Sequence, residues 1–328
     1  MSEKLKVGII GTGGISVRHI RDFLSTGEAE IVALCDTSQK SLDTIKEKYP
    51  ELADVNEYSS YTDVLKIEGL DAVQINTPHT LHYQQIMESL DAGLHVLAEK
   101  PMVCTVPHAK EIIKKVNEVN KILMIAYQRH FWPEYIFMKE YIDSGKIGEI
   151  NFVDGMICQS WKNLTTNTWR QDPSLSGGGQ LNDSGSHMVD IMLWVSGLKA
   201  KTVCAKINNC ETPVDIQSAL SIEFTNGANG TLSIAGNTPV WYEDFTVTGT
   251  KGAIFLRMGK VYVSTENESI VEVEINGERS NVERGFIDAI KGREPNRVSP
   301  ECGLRVIELT EAAWTSDKTC TPCEVSSL

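Results

Sequence analysis

Leu5-Lys6-Val7-Gly8-Ile9-Ile10-Gly11-Thr12-Gly13-Gly14-Ile15-Ser16 decides how this chain folds. Leu5, Val7, Ile9 and Ile10 are apolar in a short run and predict a strand over 4–10. The glycines follow at once, and 17–24 then has helical spacing with Ile20, Phe23 and Leu24 on one side. Strand, glycine-rich turn and helix is the context a dinucleotide-binding turn requires. Gly11 permits the tight turn. Gly13 lets the backbone approach a pyrophosphate, whose charge is favoured at the helix N-terminus. The third position of the pattern is Ser16 rather than Gly or Ala, and serine is still small enough for close helix–strand packing. Gly11, Thr12, Gly13, Gly14 and Ile15 are therefore candidate cofactor-binding residues.

A second strand over 30–35 ends in Asp36, about the expected 20-odd residues on. A carboxylate there accepts the ribose hydroxyls of an adenosine and repels a 2′-phosphate, so NAD is favoured over NADP. Lys40 close by leaves NADP open, and Asp36 could equally cap the helix starting near Ser38. The alternation continues with helices over 38–49, 80–92 and 106–120 and strands over 71–75, 95–98 and 122–127. Strands separated by helices of this length predict an α/β fold with a doubly wound parallel sheet. Such sheets bind ligands beyond the carboxyl ends of their strands. The turn at 11–16, Asp36, Asn76-Thr77-Pro78-His79 and Glu99-Lys100-Pro101 all fall at such ends. Taken alone, Glu99-Lys100-Pro101 reads as a turn, because proline cannot continue a ladder. His79 and His82 are spaced i, i+3, which suits a polar edge more than a metal.

After Tyr127 the pattern changes, which sets expected domains at 1–127 and 128–328. A helix over 133–144 is followed by strands over 149–159, 202–207, 217–224, 231–234, 245–248, 253–256, 261–264 and 270–273. Leu220, Ile222 and Phe224 alternate with Ser221 and Glu223, as in a mainly antiparallel sheet with one face covered. Gly249-Thr250-Lys251-Gly252 is a turn between two strands, and a last helix runs over 301–315. The chemically rich stretch is Gly177-Gly178-Gly179-Gln180-Leu181-Asn182-Asp183-Ser184-Gly185-Ser186-His187. With a helix from Asp183 onward, Asp183 and His187 stand i, i+4 on one face, and a carboxylate can then tune and orient an imidazole. A capping Asp with a surface His is the alternative. A metal held by Asp183, His187 and Asp190 lacks ligands from a second element.

The formal net charge of −13 argues against nucleic acid or an anionic membrane as the main partner. Hydrophobic residues at 41% and charged residues at 23% are ordinary for a folded chain of 328 residues. The charged start, Met1-Ser2-Glu3-Lys4-Leu5-Lys6, has no apolar core long enough for a signal peptide, and no stretch is long enough to span a bilayer. The expected address is the cytoplasm, and the 8 cysteines agree. Cys35, Cys158 and Cys204 read as buried small hydrophobes; Cys320-Thr321-Pro322-Cys323 lacks the context of a redox or metal pair.

Together, the turn at 11–16, Asn76-Thr77-Pro78, Gly93-Leu94-His95-Val96-Leu97-Ala98-Glu99-Lys100-Pro101 and the 179–187 stretch resemble the Gfo/Idh/MocA family, which includes glucose–fructose oxidoreductases and inositol dehydrogenases. The resemblance covers nearly the whole chain. It implies a Rossmann domain followed by an α+β domain whose large open sheet often forms a homodimer or homotetramer contact. It implies an NAD(P)-dependent oxidoreductase moving a hydride between the nicotinamide and a secondary hydroxyl of a sugar, cyclitol or related polyol. By position Lys100, Asp183 and His187 match the catalytic groups, and the bond before Pro101 is expected to be cis. Asn76, Thr77, Pro78, His82, Glu99 and Lys100 join the cofactor set; Arg129, Trp169 and Arg170, with Trp161 nearby, join the substrate set. No metal is expected. The C-terminal Asp317-Lys318-Thr319-Cys320 departs from a Gly-Lys pair common in the family. Two alternatives are an NAD-assisted glycosidase and a non-catalytic NAD- and sugar-binding regulator.

Overall fold

The computed structural model describes residues 4–325, so Met1-Ser2-Glu3 of the charged start lies outside the described residues. Its contacts divide the chain into two compact units. The first runs up to Val103 and adds Pro107–Gln128 and Ser280–Glu301. The second holds Cys104–Val106, Arg129–Arg279 and the chain from Cys302 onward.

In the first unit six strands form one parallel sheet: β1 (Leu5–Ile10), β2 (Ala29–Cys35), β3 (Asn56–Tyr58), β4 (Ala72–Ile75), β5 (His95–Ala98) and β6 (Leu123–Ile125). The helices are α1 (Ser16–Thr26), α2 (Gln39–Lys48), α3 (Tyr61–Val64), α4 (His82–Asp91) and α5 (Val106–Val119). The strand order is β3-β2-β1-β4-β5-β6. The chain therefore works outward from β1 on one side and from β4 on the other, and the reversal falls between these two strands. Ligands bind at such a switch point in open α/β sheets. Val7, Ile9, Ile10, Val73, Ile75, Val96 and Leu97 are all buried, which accounts for the nearly continuous apolar runs of these strands. Two details differ from the expectation. β3 is a short, polar edge strand paired only with β2, so it carries no hydrophobic pattern. A 3₁₀ turn at His79–Leu81 delays α4 to His82.

The second unit carries nine strands: β7 (Ile150–Cys158), β8 (Ala200–Asn208), β9 (Gln217–Phe224), β10 (Asn229–Ala235), β11 (Tyr242–Gly249), β12 (Gly252–Arg257), β13 (Lys260–Thr265), β14 (Glu268–Val273) and β15 (Cys323–Glu324). Their order is β14-β13-β12-β11-β7-β10-β9-β8-β15, antiparallel except where β10 runs parallel to β7. Gly249 pairs with Gly252 across the expected turn. Its helices are α6 (Pro133–Asp143), the short α7 (Trp161–Leu164) and α8 (Pro173–Ser176), and α9 (Ser186–Ser196). α9 is buried on most sides, with Met188, Val189, Ile191 and Met192 fully enclosed. On β8 the side chains alternate, so Val203 is buried and Cys204 is exposed; the expectation of a buried Cys204 is corrected by that alternation. Among the described residues no disulfide joins the eight cysteines, and no helix is long and apolar enough to cross a membrane.

Two further helices complete the chain. α10 (Val282–Ile290), whose N-cap Asn281 accepts a hydrogen bond from Arg284 N at 2.8 Å, belongs to the first unit and packs Phe286 edge-on against Phe23 of α1. α11 (Pro300–Thr319) continues into the second unit, where Ser316 Oγ accepts from Ala205 N of β8. Near the start of β5, His95 Nδ1 accepts the Ile122 N–H at 3.0 Å. Burial, and after it the charge of Lys121, pushes the His95 pKa down to about 4. The unfolded chain therefore takes up a proton here before the folded one does, so stability is lost as pH falls from about 6.5 through about 4. We expect thermal melting to show wild type losing stability across that window, and its advantage over His95→Gln to shrink as pH falls; an advantage independent of pH would contradict this.

Candidate active site

The parallel sheet sets three strand ends level with one another. Ile10 pairs with Ile75, and Ile75 pairs with Ala98, so Gly11, Asn76 and Glu99 begin at the same edge of adjacent strands. Gly11 has φ +88°, and a Cβ there would lie 2.9 Å from the carbonyl carbon of Asn76. Asn76 Nδ2 donates back to Gly11 O at 3.2 Å. By contrast, a Cβ on Gly13 or Gly14 would meet no atom within 4 Å. Packing within the protein does not require glycine at these two positions, whereas an approaching ligand would. Ser16 is fully buried and its Oγ donates to Gly13 O at 2.6 Å, so the departure from Gly or Ala closes the turn with a hydrogen bond. α1 has no acidic residue in its first turn, leaving the positive end of its dipole to an anion.

Asp36, at the end of β2, accepts from Thr12 N at 2.8 Å and from Ser38 N at 2.9 Å. The cap of α2 is Ser38, which accepts from Ser41 N, so Asp36 steadies the turn around Thr12 and is not itself the helix cap. Thr77 Oγ1 donates to Gln85. His82 is buried with Nδ1 2.8 Å from Pro101 O and Nε2 2.9 Å from Thr77 O, linking the end of β4 to the Lys100–Pro101 turn. Burial, only partly offset by those two carbonyls, pushes the His82 pKa down. The peptide between Lys100 and Pro101 is cis, as expected. Lys100 donates its backbone N–H to Glu99 Oε2 at 3.0 Å, while Glu99 Oε1 stands 2.8 Å from His19 Nε2. Burial opposes the Glu99 charge, but the His19 hydrogen bond and the charges of His19 and Lys100 outweigh it and hold the carboxyl below its usual range.

In the second unit the glycine-rich stretch is tied to a residue that sequence reasoning missed. Asp215, buried, accepts from Gly179 N at 2.8 Å, Leu181 N at 2.7 Å and Trp314 Nε1 at 3.2 Å. A Cβ on Gly179 would lie 2.0 Å from Asp215 O, so the turn closes only with glycine. Burial raises the Asp215 pKa despite those donors. The expected helix from Asp183 is corrected: α9 starts at Ser186, because Asp183 N and Gly185 N donate back to Gly179 O and Gln180 O in tight turns. The Asp183 carboxylate accepts from Trp161 Nε1 at 2.8 Å and Arg170 Nε at 3.1 Å, and Arg170 stacks on Trp169. Four of the candidate substrate residues are thereby gathered in one cluster. His187 lies in the first turn of α9. Asp190 is paired to His130 Nε2 at 2.8 Å. Arg129 and Tyr135 both donate to Glu243, and Arg129 keeps Nε and Nη1 buried with no hydrogen-bond partner among the described residues. Glu243 and Tyr135 gave no local signal in the sequence.

Comparison with known proteins identifies the family and the fold. The family model described as "Oxidoreductase family, NAD-binding Rossmann fold" matches residues 5–127, and the GFO/IDH/MocA C-terminal domain matches 135–255. The chain is 24% identical over 356 residues to D-glucoside 3-dehydrogenase of Escherichia coli (strain K12), covering 99% of this chain and 98% of the relative. It is 26% identical over 254 residues to inositol 2-dehydrogenase of Salmonella typhimurium, covering 76% of this chain and 72% of the relative. Levoglucosan dehydrogenase in complex with NADH has the same fold, with a TM-score of 0.89, 21% identity and coverage of 99% and 100%.

The two kinds of glycine in the turn separate packing from ligand approach. Gly11→Ala meets the Asn76 backbone at positive φ and is expected to cost about 1–3 kcal/mol of stability. Gly13→Ala is expected to leave the melting temperature unchanged while weakening NADH binding at least tenfold by fluorescence titration. Equal melting temperatures for the two variants would contradict the assignment.

Proposed function

The chain belongs to the GFO/IDH/MocA oxidoreductase family, and we propose that it oxidises a secondary hydroxyl of a sugar, cyclitol or related polyol with NAD. The observation that carries the reading is the level alignment of Gly11, Asn76 and Glu99 on neighbouring strands. Neighbouring strands lie about 4.8 Å apart, so Lys100 begins roughly 10 Å from the glycine-rich turn. The names of the curated relatives, which act on glucosides and inositol, point to the substrate class.

Gly11, Thr12, Gly13, Gly14 and Ile15 would hold the pyrophosphate, Asp36 the adenosine ribose, and Asn76, Thr77, Pro78, His82, Glu99 and Lys100 the nicotinamide half. NAD, when bound, supplies the hydride acceptor. The protein's own work is proton transfer and charge stabilisation. His187 takes the hydroxyl proton, and the Lys100 ammonium hydrogen-bonds the same oxygen and stabilises the negative charge left there. Asp183, held by Trp161 and Arg170, orients substrate hydroxyls. Arg129 has two buried donors available for an oxygen of the ligand, and Trp169, stacked by Arg170, adds an apolar ring to the cluster around Asp183.

The test is an absorbance screen for NADH formation against sugars, cyclitols and their acids, with NAD and NADP. We expect turnover with NAD, a preference over NADP that Asp36→Ala relaxes, and a loss of at least about 100-fold in kcat for Lys100→Ala and His187→Ala. No reduction across the panel with either cofactor, or full activity in both variants, would overturn the reading.

A homo-oligomer built through the large sheet is part of the proposal. On β8 and β9 the uncovered face presents Cys204, Lys206, Ala219 and Ser221, mostly small side chains that let a second flat face approach. Light scattering after gel filtration is expected to give a dimer or tetramer that Ala219→Arg shifts toward monomer; a monomeric wild type would refute it.

A further inference from the structure

His19, on α1, is buried and has a carboxylate at each ring nitrogen. Nε2 lies 2.8 Å from Glu99 Oε1 at the end of β5, and Nδ1 meets Glu283 Oε1 of α10. A neutral imidazole has one N–H and one lone pair, so one of these contacts would set a lone pair against a carboxylate oxygen. With both carboxylates ionised, both contacts are satisfied only by a ring protonated at both nitrogens. Burial works against a charged ring, but the hydrogen bonds and charges of Glu283 and Glu99 outweigh it and push the pKa up to about 10. Glu99 is held at both oxygens, by His19 at one and by the Lys100 backbone N–H at the other. The charges alternate along the array: Glu283 negative, His19 positive, Glu99 negative, Lys100 positive.

Glu283 decides between packing and electrostatics as the reason for this arrangement. It is 1% exposed, and its Oε2 has no hydrogen-bond partner among the described residues. A buried carboxylate with so few partners stabilises a fold poorly, and an apolar side chain of similar size would pack as well. What an apolar side chain could not do is keep His19 charged. Besides Glu99 and Glu283, Lys100 acts on Glu99 through its charge, and Arg21 on α1 interacts with Glu283.

We propose that His19 and Glu283 are positioning residues, which keep a buried imidazolium against Glu99 and thereby set the backbone and the charge surroundings of Lys100. The inference rests on the reading of Lys100 as a catalytic group, and its first readout needs no substrate. Reductive ¹³C-methylation of the full-length protein keeps each lysine charged, and Lys100→Arg identifies the Lys100 resonance. The Lys100 titration midpoint is expected to rise by about half a unit or more in His19→Gln, where two carboxylates lose the cation between them. In Glu283→Gln the lost carboxylate and the earlier loss of the His19 charge act in opposite directions, so the Lys100 midpoint is expected to move less than in His19→Gln. No rise in His19→Gln would overturn the proposal whatever the polyol screen gives. That rise with no polyol oxidation would leave the Lys100 array standing and remove the hydride-transfer reading.

A second readout covers a His19→Gln that does not fold. In histidine labelled with ¹⁵N, both ring nitrogens of His19 are expected to stay protonated through pH 9 in wild type, and to titrate at least one unit lower in Glu283→Gln. A wild-type His19 that titrates near its ordinary 6.5 would overturn the proposal. With a substrate in hand, Glu283→Gln is expected to acquire a fall in kcat across its lowered His19 titration, with the KM for NAD unchanged. A pH-independent loss of kcat would mark Glu283 as merely structural and overturn it.

Discussion

The backbone of the first turn lies against the backbone at the end of β4, and no side chain fits between them. Gly11 makes that approach possible, through its positive φ and the missing Cβ that would strike Asn76. The rest of the first unit's edge follows from it. Asn76 closes onto Gly11 O, Gln74 holds the Asn76 amide at 2.8 Å, and Ser16 ties the start of α1 to Gly13. With the start of α1 fixed, His19 falls one turn later, where it meets Glu99 from the neighbouring edge. A single close approach therefore places the turn, the helix and the carboxylate next to Lys100.

What could be read in the sequence was what the backbone dictates locally. Gly11, the strand runs of β1, β4 and β5, and the proline after Lys100 each answer a constraint within a few residues, so their placement at one edge was legible. The two-sheet architecture was legible for the same reason, since it rests on alternation and spacing. The partners of buried polar groups were not legible. His19 and Glu283 are 264 residues apart, and nothing near either announces the other. Asp215 looks like any loop aspartate until the glycine-rich turn folds over it. β3 is too short and polar to show a period, and α10 contains Gly285, which blunts its helical signal. The helix start expected at Asp183 failed in a specific way. An i, i+4 spacing was right only for a helix that had already started, and the glycine-rich turns postpone that start to Ser186.

A chain with net charge −13 still holds cations at chosen points in each unit. In the second unit Arg170 sits on Asp183 and Arg129 on Glu243, and in the first His19 sits on Glu99, each pair at least partly buried. Buried pairs of this kind add little net stability compared with apolar packing, because desolvation offsets most of the attraction. Their use lies in fixing which oxygen and which nitrogen face where.

Buried carboxylates serve two different ends in this molecule, and their partners tell them apart. Asp215 accepts from two backbone N–H groups and an indole, all neutral donors that fix a loop and do not depend on the charge of a neighbour. Its pKa is raised, so it holds the turn in spite of being charged. Glu99 is the opposite case: burial is outweighed by a cation, and its pKa is lowered. A loop can be held by either device. Only the second transmits charge, since protonating or removing any one member changes the field at the next. The charge-coupled array reaches Lys100, while the neutral one holds a glycine turn, and this difference is the physical ground on which the first is proposed as part of the chemistry and the second as part of the scaffold.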